Sequence, residues 1–215
     1  MVIESVIFES QTTFVTDRQI LDGILIVNEV VDETRKSNKE LLLFKVDFEK
    51  AYDSVDWGYL DAVMGRISFP TLWRKWIREC VCTASALVLV NGSPTYEFPL
   101  ERGLRQGDSL SPSMFLLAAE GLNMLMQAMA DTNVFTGYMI GTQDPISVSH
   151  LQFVDDTLLL GTKSWANVRA LRAVLVLFEM MSGLKVNFNK SMLAGVHISN
   201  SWLREAAPAL RCKVV

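Results

Sequence analysis

HLQFVDDTLLL, residues 150–160, sets two aspartates, Asp155 and Asp156, side by side inside an otherwise apolar run. Leu151, Phe153 and Val154 precede them, and Leu158, Leu159 and Leu160 follow. Flanks of this kind belong in a core, and a carboxylate enters a core only when something pairs with it or coordinates it. Two readings are open: a sheltered turn with both acids facing water, or a pair that holds a cation. Aspartate is common in turns, so the dipeptide alone favours the solvated turn. The neighbouring stretches decide between them.

Around this pair, SVSHLQFV and TLLLG read as strands joined by a tight turn. LLLFKVD reads as a buried strand from Leu41 that ends in Asp47, with a short helix and loop after it. ALVLVNGSPTYEFPL reads as two strands about a turn at Asn91-Gly92. LKVNFNKSMLAGV reads as two more short strands around a turn at Asn189-Lys190. Helical spacing of Ile20, Ile24, Val27 and Val31 predicts a long helix, with Thr16 and Gln19 as a capping box. A second helix follows Pro70, with Trp73, Trp76, Ile77 and Cys80 on its apolar side. In a third, Ser111 suits the N-cap and Pro112 the first turn. SWANVRALRAVLVLFEMMSG is helical with Gly183 near its C-cap, and SWLREAAPAL is a last short helix. Tight hairpins imply antiparallel pairing, so the expected class is α+β, an antiparallel sheet with helices packed on one face.

Bulk properties narrow the function. In 215 residues, 50% are hydrophobic and 20% charged, which excludes a disordered chain. No apolar run approaches the roughly 18–20 residues needed to span a bilayer, and the start lacks a signal-peptide pattern. An intracellular protein, nuclear or cytoplasmic, is therefore expected. Cys80, Cys82 and Cys212 are expected as reduced core thiols, and the two histidines show no metal-ligand spacing with them. A net charge of −4 counts against a nucleic-acid binder unless the local distribution overrides the total.

Asp47 and the Asp155-Asp156 pair all fall at strand ends. Three carboxylates brought together there would repel, and a divalent cation would relieve the repulsion. Oxygen ligands without His or Cys point to Mg²⁺ or Mn²⁺. Two such ions about 3.5–4 Å apart stabilise the attacking and leaving oxygens of a phosphoryl displacement.

Four blocks occur in order: FKVDFEKAYDSVDW, GLRQGDSLSP, HLQFVDDTLLL and GLKVNFNKSML, preceded by ESQTTFVTDRQILDG. Together they resemble the reverse transcriptase domain of non-LTR (LINE-type) retrotransposons, most like those of plant genomes. The resemblance implies a reverse transcriptase palm with partial fingers. It divides the chain into a fingers-side segment (1–40), a palm core with a fingers-like insertion at about 58–100 (41–199) and a C-terminal extension (200–215). It also implies a chain cut at both ends, with the thumb, endonuclease and ribonuclease H regions absent.

The implied activity is RNA-directed DNA synthesis with two Mg²⁺ or Mn²⁺ ions. The implied partners are an RNA template, a DNA primer and dNTP. Asp47, Asp155 and Asp156 map onto the metal-holding acids, Asp156 as the weaker ligand of the three, with the Phe48 carbonyl also facing a metal. Tyr52 maps onto the aromatic beneath the incoming sugar, where a ring would clash with a ribose 2′-OH; packing on its own helix is the alternative. Arg105, Gln106 and Gly107 map onto the loop that approaches nucleotide and template. Lys190 maps onto a lysine that protonates or steadies the leaving pyrophosphate, with a solvated turn lysine as the alternative. Arg18 maps onto an arginine of the fingers side, and Asp17 stands where a glycine is usual. Two other classes remain: an inactive remnant serving as a nucleic-acid or protein interaction module, and a divalent-metal phosphotransferase, which would have no need of Gln106 or Tyr52.

Overall fold

The computed structural model describes residues 7, 11, 20–141, 145–153 and 156–215. Its first half runs α1 (Ile20–Ser37), β1 (Leu41–Val46), β2 (Phe48–Glu49), α2 (Ala51–Ser54), α3 (Trp57–Arg66) and α4 (Thr71–Cys82). A ribbon follows, built from β3 (Ser85–Ala86), β4 (Leu89–Val90), β5 (Ser93–Pro94) and β6 (Phe98–Pro99), with β4 and β5 joined at Asn91-Gly92. The second half runs α5 (Ser111–Asp131), β7 (Tyr138–Ile140), β8 (Ile146–Val148), β9 (His150–Phe153), β10 (Asp156–Gly161) and α6 (Trp165–Ser182). It closes with β11 (Lys185–Val186), β12 (Met192–Val196), α7 (Asn200–Leu210) and β13 (Lys213–Val214).

Among the described residues, five strands form the central sheet in the order β13-β12-β1-β10-β9. All neighbours are antiparallel except β12 and β13, which α7 connects in parallel. β1 lies in the middle, with Val46 opposite Thr157 and Lys45 opposite both Leu158 and Met192. The α+β class expected from the hairpins is the observed one.

Alternation along β1 sorts the core into two layers. Leu42, Phe44 and Val46 face α5 and α6, which supply Phe115, Leu116, Leu122, Leu171, Val174 and Phe178. Burial of side chains this size contributes about 1.5–3 kcal/mol each. Leu41 and Leu43 face the other way, joining Leu158, Leu160 and Leu151 beneath Val27, Val30 and Val31 of α1. β1 therefore reads as a continuous apolar run where both faces are covered. The first polar residue of that run, Lys45, marks where the cover given by α1 ends. The Tyr138 hydroxyl donates to Glu33, tying α1 to β7.

Several local expectations shift. The buried stripe of α1 runs through Gly23, Val30 and Thr34, while Ile24 faces solvent. The expected capping box at Thr16 and Gln19 lies outside the described residues. In α4 only Val81 is buried; Trp73, Trp76 and Cys80 are exposed, because α4 meets α3 through its Ile77–Val81 side and few of the described residues cover the opposite side. The core-thiol expectation fails for Cys80 and Cys82, which are exposed, and holds in part for half-buried Cys212. Ser111 is the first residue of α5 rather than its cap; the Asp108 carboxylate accepts from the Leu110 amide instead (2.8 Å). The strand expected over SVSHLQFV breaks at Ser149 into β8 and β9, which pair with different partners. Likewise β11 and β12 do not pair with each other: β11 joins β2, and β12 joins β1. No helix among the described residues is long and apolar enough to cross a membrane.

Candidate active site

The rim of the sheet brings Asp47 and Asp156 together. Asp47 is the single residue between β1 and β2, and Asp156 is the first residue of β10. The β1–β10 ladder ends with Val46 opposite Thr157, so its next step sets Asp47 across from Asp156. Paired residues share a face. Asp156 therefore lies on the face of Lys45 and Leu158, and continuing the alternation assigns Asp47 to it too. The Lys45 ammonium lies 3.0 Å from Asp156 Oδ2. Lys45 is a site residue that motif reading missed, although a lysine inside LLLFKV was a signal for it.

Backbone bonds fix Asp47 from both sides. Its amide donates to Ser191 Oγ (3.2 Å), and its carbonyl accepts from Asn187 N–H (2.7 Å). The second bond makes Phe48 and Val186 a pair that exchanges no backbone hydrogen bonds, so the Phe48 carbonyl points away from β11. The Phe48 ring packs on Phe178, with centroids 5.7 Å apart. Lys190 is exposed in the turn that leads to Ser191, its amide donating to the Asn187 carbonyl (3.1 Å). It stands at the same rim, on the β12 side of β1.

Tyr52 stacks on Phe115 of α5, with centroids 4.8 Å apart and planes 20° from parallel. Its helix, α2, is only four residues long, and two backbone approaches hold it. A Cβ on Gly103 would lie 2.6 Å from the Asp53 carbonyl oxygen, and one on Gly183 would lie 2.5 Å from the Ser54 carbonyl oxygen. Both glycines also have positive φ, so only glycine fits either place without strain. Leu104 N–H donates to the Tyr52 carbonyl (2.7 Å), Gly103 N–H to the Val55 carbonyl (2.8 Å), and the Trp57 indole to the Gly103 carbonyl (2.8 Å).

These bonds strap the Arg105–Asp108 turn to the helix that carries Tyr52. Arg105, Gln106 and Gly107 are all exposed on that turn. A cleft of about 800 Å³ opens beside it, lined by Arg102, Arg105, Asp108 and the β3–β6 ribbon, but not by Asp47, Asp156 or Lys190. The cleft has acids of its own, Asp53, Glu97 and Asp108, set apart from the carboxylates at the sheet rim.

Behind the rim, a buried polar chain joins α5 to β9. His150 Nε2–H donates to Asn123 Oδ1 (2.7 Å), and Asn123 Nδ2 donates to Glu120 (3.0 Å). Ser149 Oγ donates to His150 Nδ1 (2.9 Å), and Gln152 Nε2 donates to the Ala119 carbonyl (3.2 Å). Burial pushes the His150 pKa down to about 4, so the ring is neutral near pH 7. The histidine thus has the structural role that a lone His beside a strand implies.

Asp155 and Arg18 lie outside the described residues, and so does most of the ESQTTFVTDRQILDG block. Gln11 of that block forms a parallel bridge with Gln152 of β9. Among the described residues no three acidic, His or Cys side chains gather as a metal-holding group. Asp47 and Asp156 offer carboxylate oxygens, the donor type that a hard divalent cation takes, and the Lys45 ammonium stands on Asp156.

A family model described as reverse transcriptase (RNA-dependent DNA polymerase) matches residues 1–200. The transposon TX1 uncharacterized 149 kDa protein of Xenopus laevis is 26% identical over 190 residues, 88% of this chain and 14% of that protein. The Pol polyprotein of the type-1 retrotransposable element R2 from Popillia japonica is 26% identical over 184 residues, 83% of this chain and 25% of that protein. The chain thus spans a quarter or less of these two relatives. Among solved structures, telomerase from Candida albicans in complex with a fragment of telomeric RNA superposes with a TM-score of 0.66 at 13% identity, over 94% of this chain and 34% of that one. At such identity the likeness concerns the fold, and the fold agrees with the family match. The chain belongs to the reverse transcriptase (RNA-dependent DNA polymerase) family.

Proposed function

We propose that the rim formed by Asp47 and Asp156, completed by Asp155, is the catalytic centre for RNA-templated addition of deoxynucleotides to a primer 3′-OH. The observation that supports this reading is the β1–β10 register, which ends with Val46 opposite Thr157 and so leaves Asp47 and Asp156 as the next residues at the same rim. Asp47, Asp155, Asp156 and the Phe48 carbonyl would hold two Mg²⁺ or Mn²⁺ ions, which when bound stabilise the attacking and leaving oxygens of the displacement.

The chain's own residues orient and select. Tyr52, braced by Phe115, presents its ring edge where a ribose 2′-OH would clash. The Arg105–Gly107 turn, strapped to the same helix, meets the nucleotide and its template base. Lys190 stands at the rim to neutralise or protonate the pyrophosphate that leaves. Arg18 would add a fingers-side contact. The division into a fingers-side segment, palm core and C-terminal extension belongs to the same reading.

Primer extension on a poly-A template with Mg²⁺ or Mn²⁺ tests it. Asp156→Asn and Asp47→Asn should each lower incorporation at least about 100-fold, the scale on which catalytic electrostatic groups act. Incorporation that survives both substitutions would sink the assignment, and a wild-type chain with no incorporation would favour the inactive remnant. Tyr52→Ala should raise ribonucleotide incorporation relative to deoxynucleotide incorporation in the same assay; an unchanged ratio would return Tyr52 to a packing role.

A further inference from the structure

Lys45 is out of place by the logic of its strand. Leu43 precedes it on the same face, and Leu158 and Met192 stand opposite it on the two flanking strands. A leucine or methionine would fit those neighbours. A lysine there instead reaches diagonally to Asp156, 3.0 Å away, with side chains 42% and 46% exposed. Ion pairs this exposed contribute little to stability, so the fold does not explain the residue. What the pair does is keep one positive charge on a carboxylate that faces an open rim.

A divalent cation arriving at Asp156 competes for the same oxygens with twice the charge, and the ammonium is then repelled by the ion it adjoins. Its four-carbon stem is flexible, and the compact ammonium is a good point-charge partner for phosphate. We propose that Lys45 is the internal counter-ion that a divalent cation must displace from Asp156, and that the displaced ammonium then binds a phosphate, of the incoming nucleotide or of the primer strand. This inference rests on the reading of the rim as a metal-dependent nucleotidyl transfer centre. It assigns Lys45 two effects of opposite sign, weaker metal binding and stronger phosphate binding, which a merely structural lysine would not have.

The test uses the full chain and does not require turnover. Mn²⁺ binding is titrated by electron paramagnetic resonance in wild type, Lys45→Met, Lys45→Arg and Asp156→Asn. Lys45→Met should bind Mn²⁺ about two- to fivefold more tightly, the scale of a half-exposed ion pair. Lys45→Arg should stay near wild type. With Mn²⁺ saturating, a fluorescent RNA–DNA primer–template duplex is then titrated by anisotropy, and dTTP by its own titration. Lys45→Met should weaken one of them severalfold: the duplex if the phosphate belongs to the primer strand, dTTP if it belongs to the nucleotide.

Equal or weaker Mn²⁺ binding by Lys45→Met would overturn the counter-ion role. Tighter Mn²⁺ with both substrates unaffected would overturn the phosphate role. Asp156→Asn that keeps wild-type Mn²⁺ affinity would instead defeat the metal reading of the rim, a separate failure.

Discussion

The central sheet and the α4–ribbon region are both rich in apolar residues but opposite in burial. Phe44 of β1 is fully buried, whereas Trp76 of α4 is 50% exposed and Leu89 of β4 is 65% exposed. Both regions carry regular hydrophobic patterns. Periodicity identifies a face that is suited to being covered, and says nothing about whether the same chain supplies the cover. Around β1 the cover comes from α5, α6 and α1. For the outer face of α4 and the ribbon, the described residues supply little.

The comparison breaks most readily where packing is deepest. Phe44→Ala should destabilise by about 3–5 kcal/mol in urea denaturation, because it empties the centre of the larger core. A loss under about 1 kcal/mol would mean the sheet is not the stabilising centre. Gly121→Ala should follow at about 3 kcal/mol or less, since its Cβ would sit 1.9 Å from the Tyr59 hydroxyl and force α3 away from α5.

Acidity probes the same interior. The His150 pKa lies near 4 in the fold against about 6.5 when unfolded, so the unfolded chain takes up a proton first. Its contribution is complete above about pH 6.5 and fades as pH falls toward 4, by at most about 3 kcal/mol at 1.36 kcal/mol per unit. His150→Gln keeps a donor toward Asn123 but does not titrate, so its stability should vary less over that window than wild type. Parallel curves would show that the ring is not held neutral.

The exposed region should respond weakly. Trp76→Ala should cost under about 1 kcal/mol, far below the range for buried tryptophan; a core-sized loss would show that α4 is covered in solution. In the native chain, Cys80 and Cys82 should react with a thiol reagent well before Cys212, which is half-buried and whose thiol is pushed up to about 11 by burial. Equal rates for all three would erase the distinction.

Much of this was legible in the letters. The FKVDFEKAYD and HLQFVDDTLLL blocks placed Asp47 and Asp156 at strand ends, and the register then joined them. Asn91-Gly92 marked its hairpin, and Gly183 its helix end. What stayed hidden depends on partners remote in sequence. The stripe expected on α1 holds at Val27 and Val31 but not at Ile24, because the packing of α1 on β9 and β12 selects Val30 and Thr34 as its centre. The side chain that meets the α5 entrance, Asp108, lies three residues before the expected cap. Lys45 went unnoticed because its meaning comes from Asp156, which follows it by more than a hundred residues yet sits one strand away.

The two glycines that pinch α2 have a consequence for how this centre can vary. Tyr52 takes its height above the sheet from carbonyls of its own short helix resting on bare backbone at positions 103 and 183. A methyl group at either place would lift the aromatic ring away from Phe115 without altering any residue that meets substrate. If Tyr52 selects the sugar as proposed, discrimination would then drift through a change in the floor beneath the ring, leaving the proposed acidic ligands where they were.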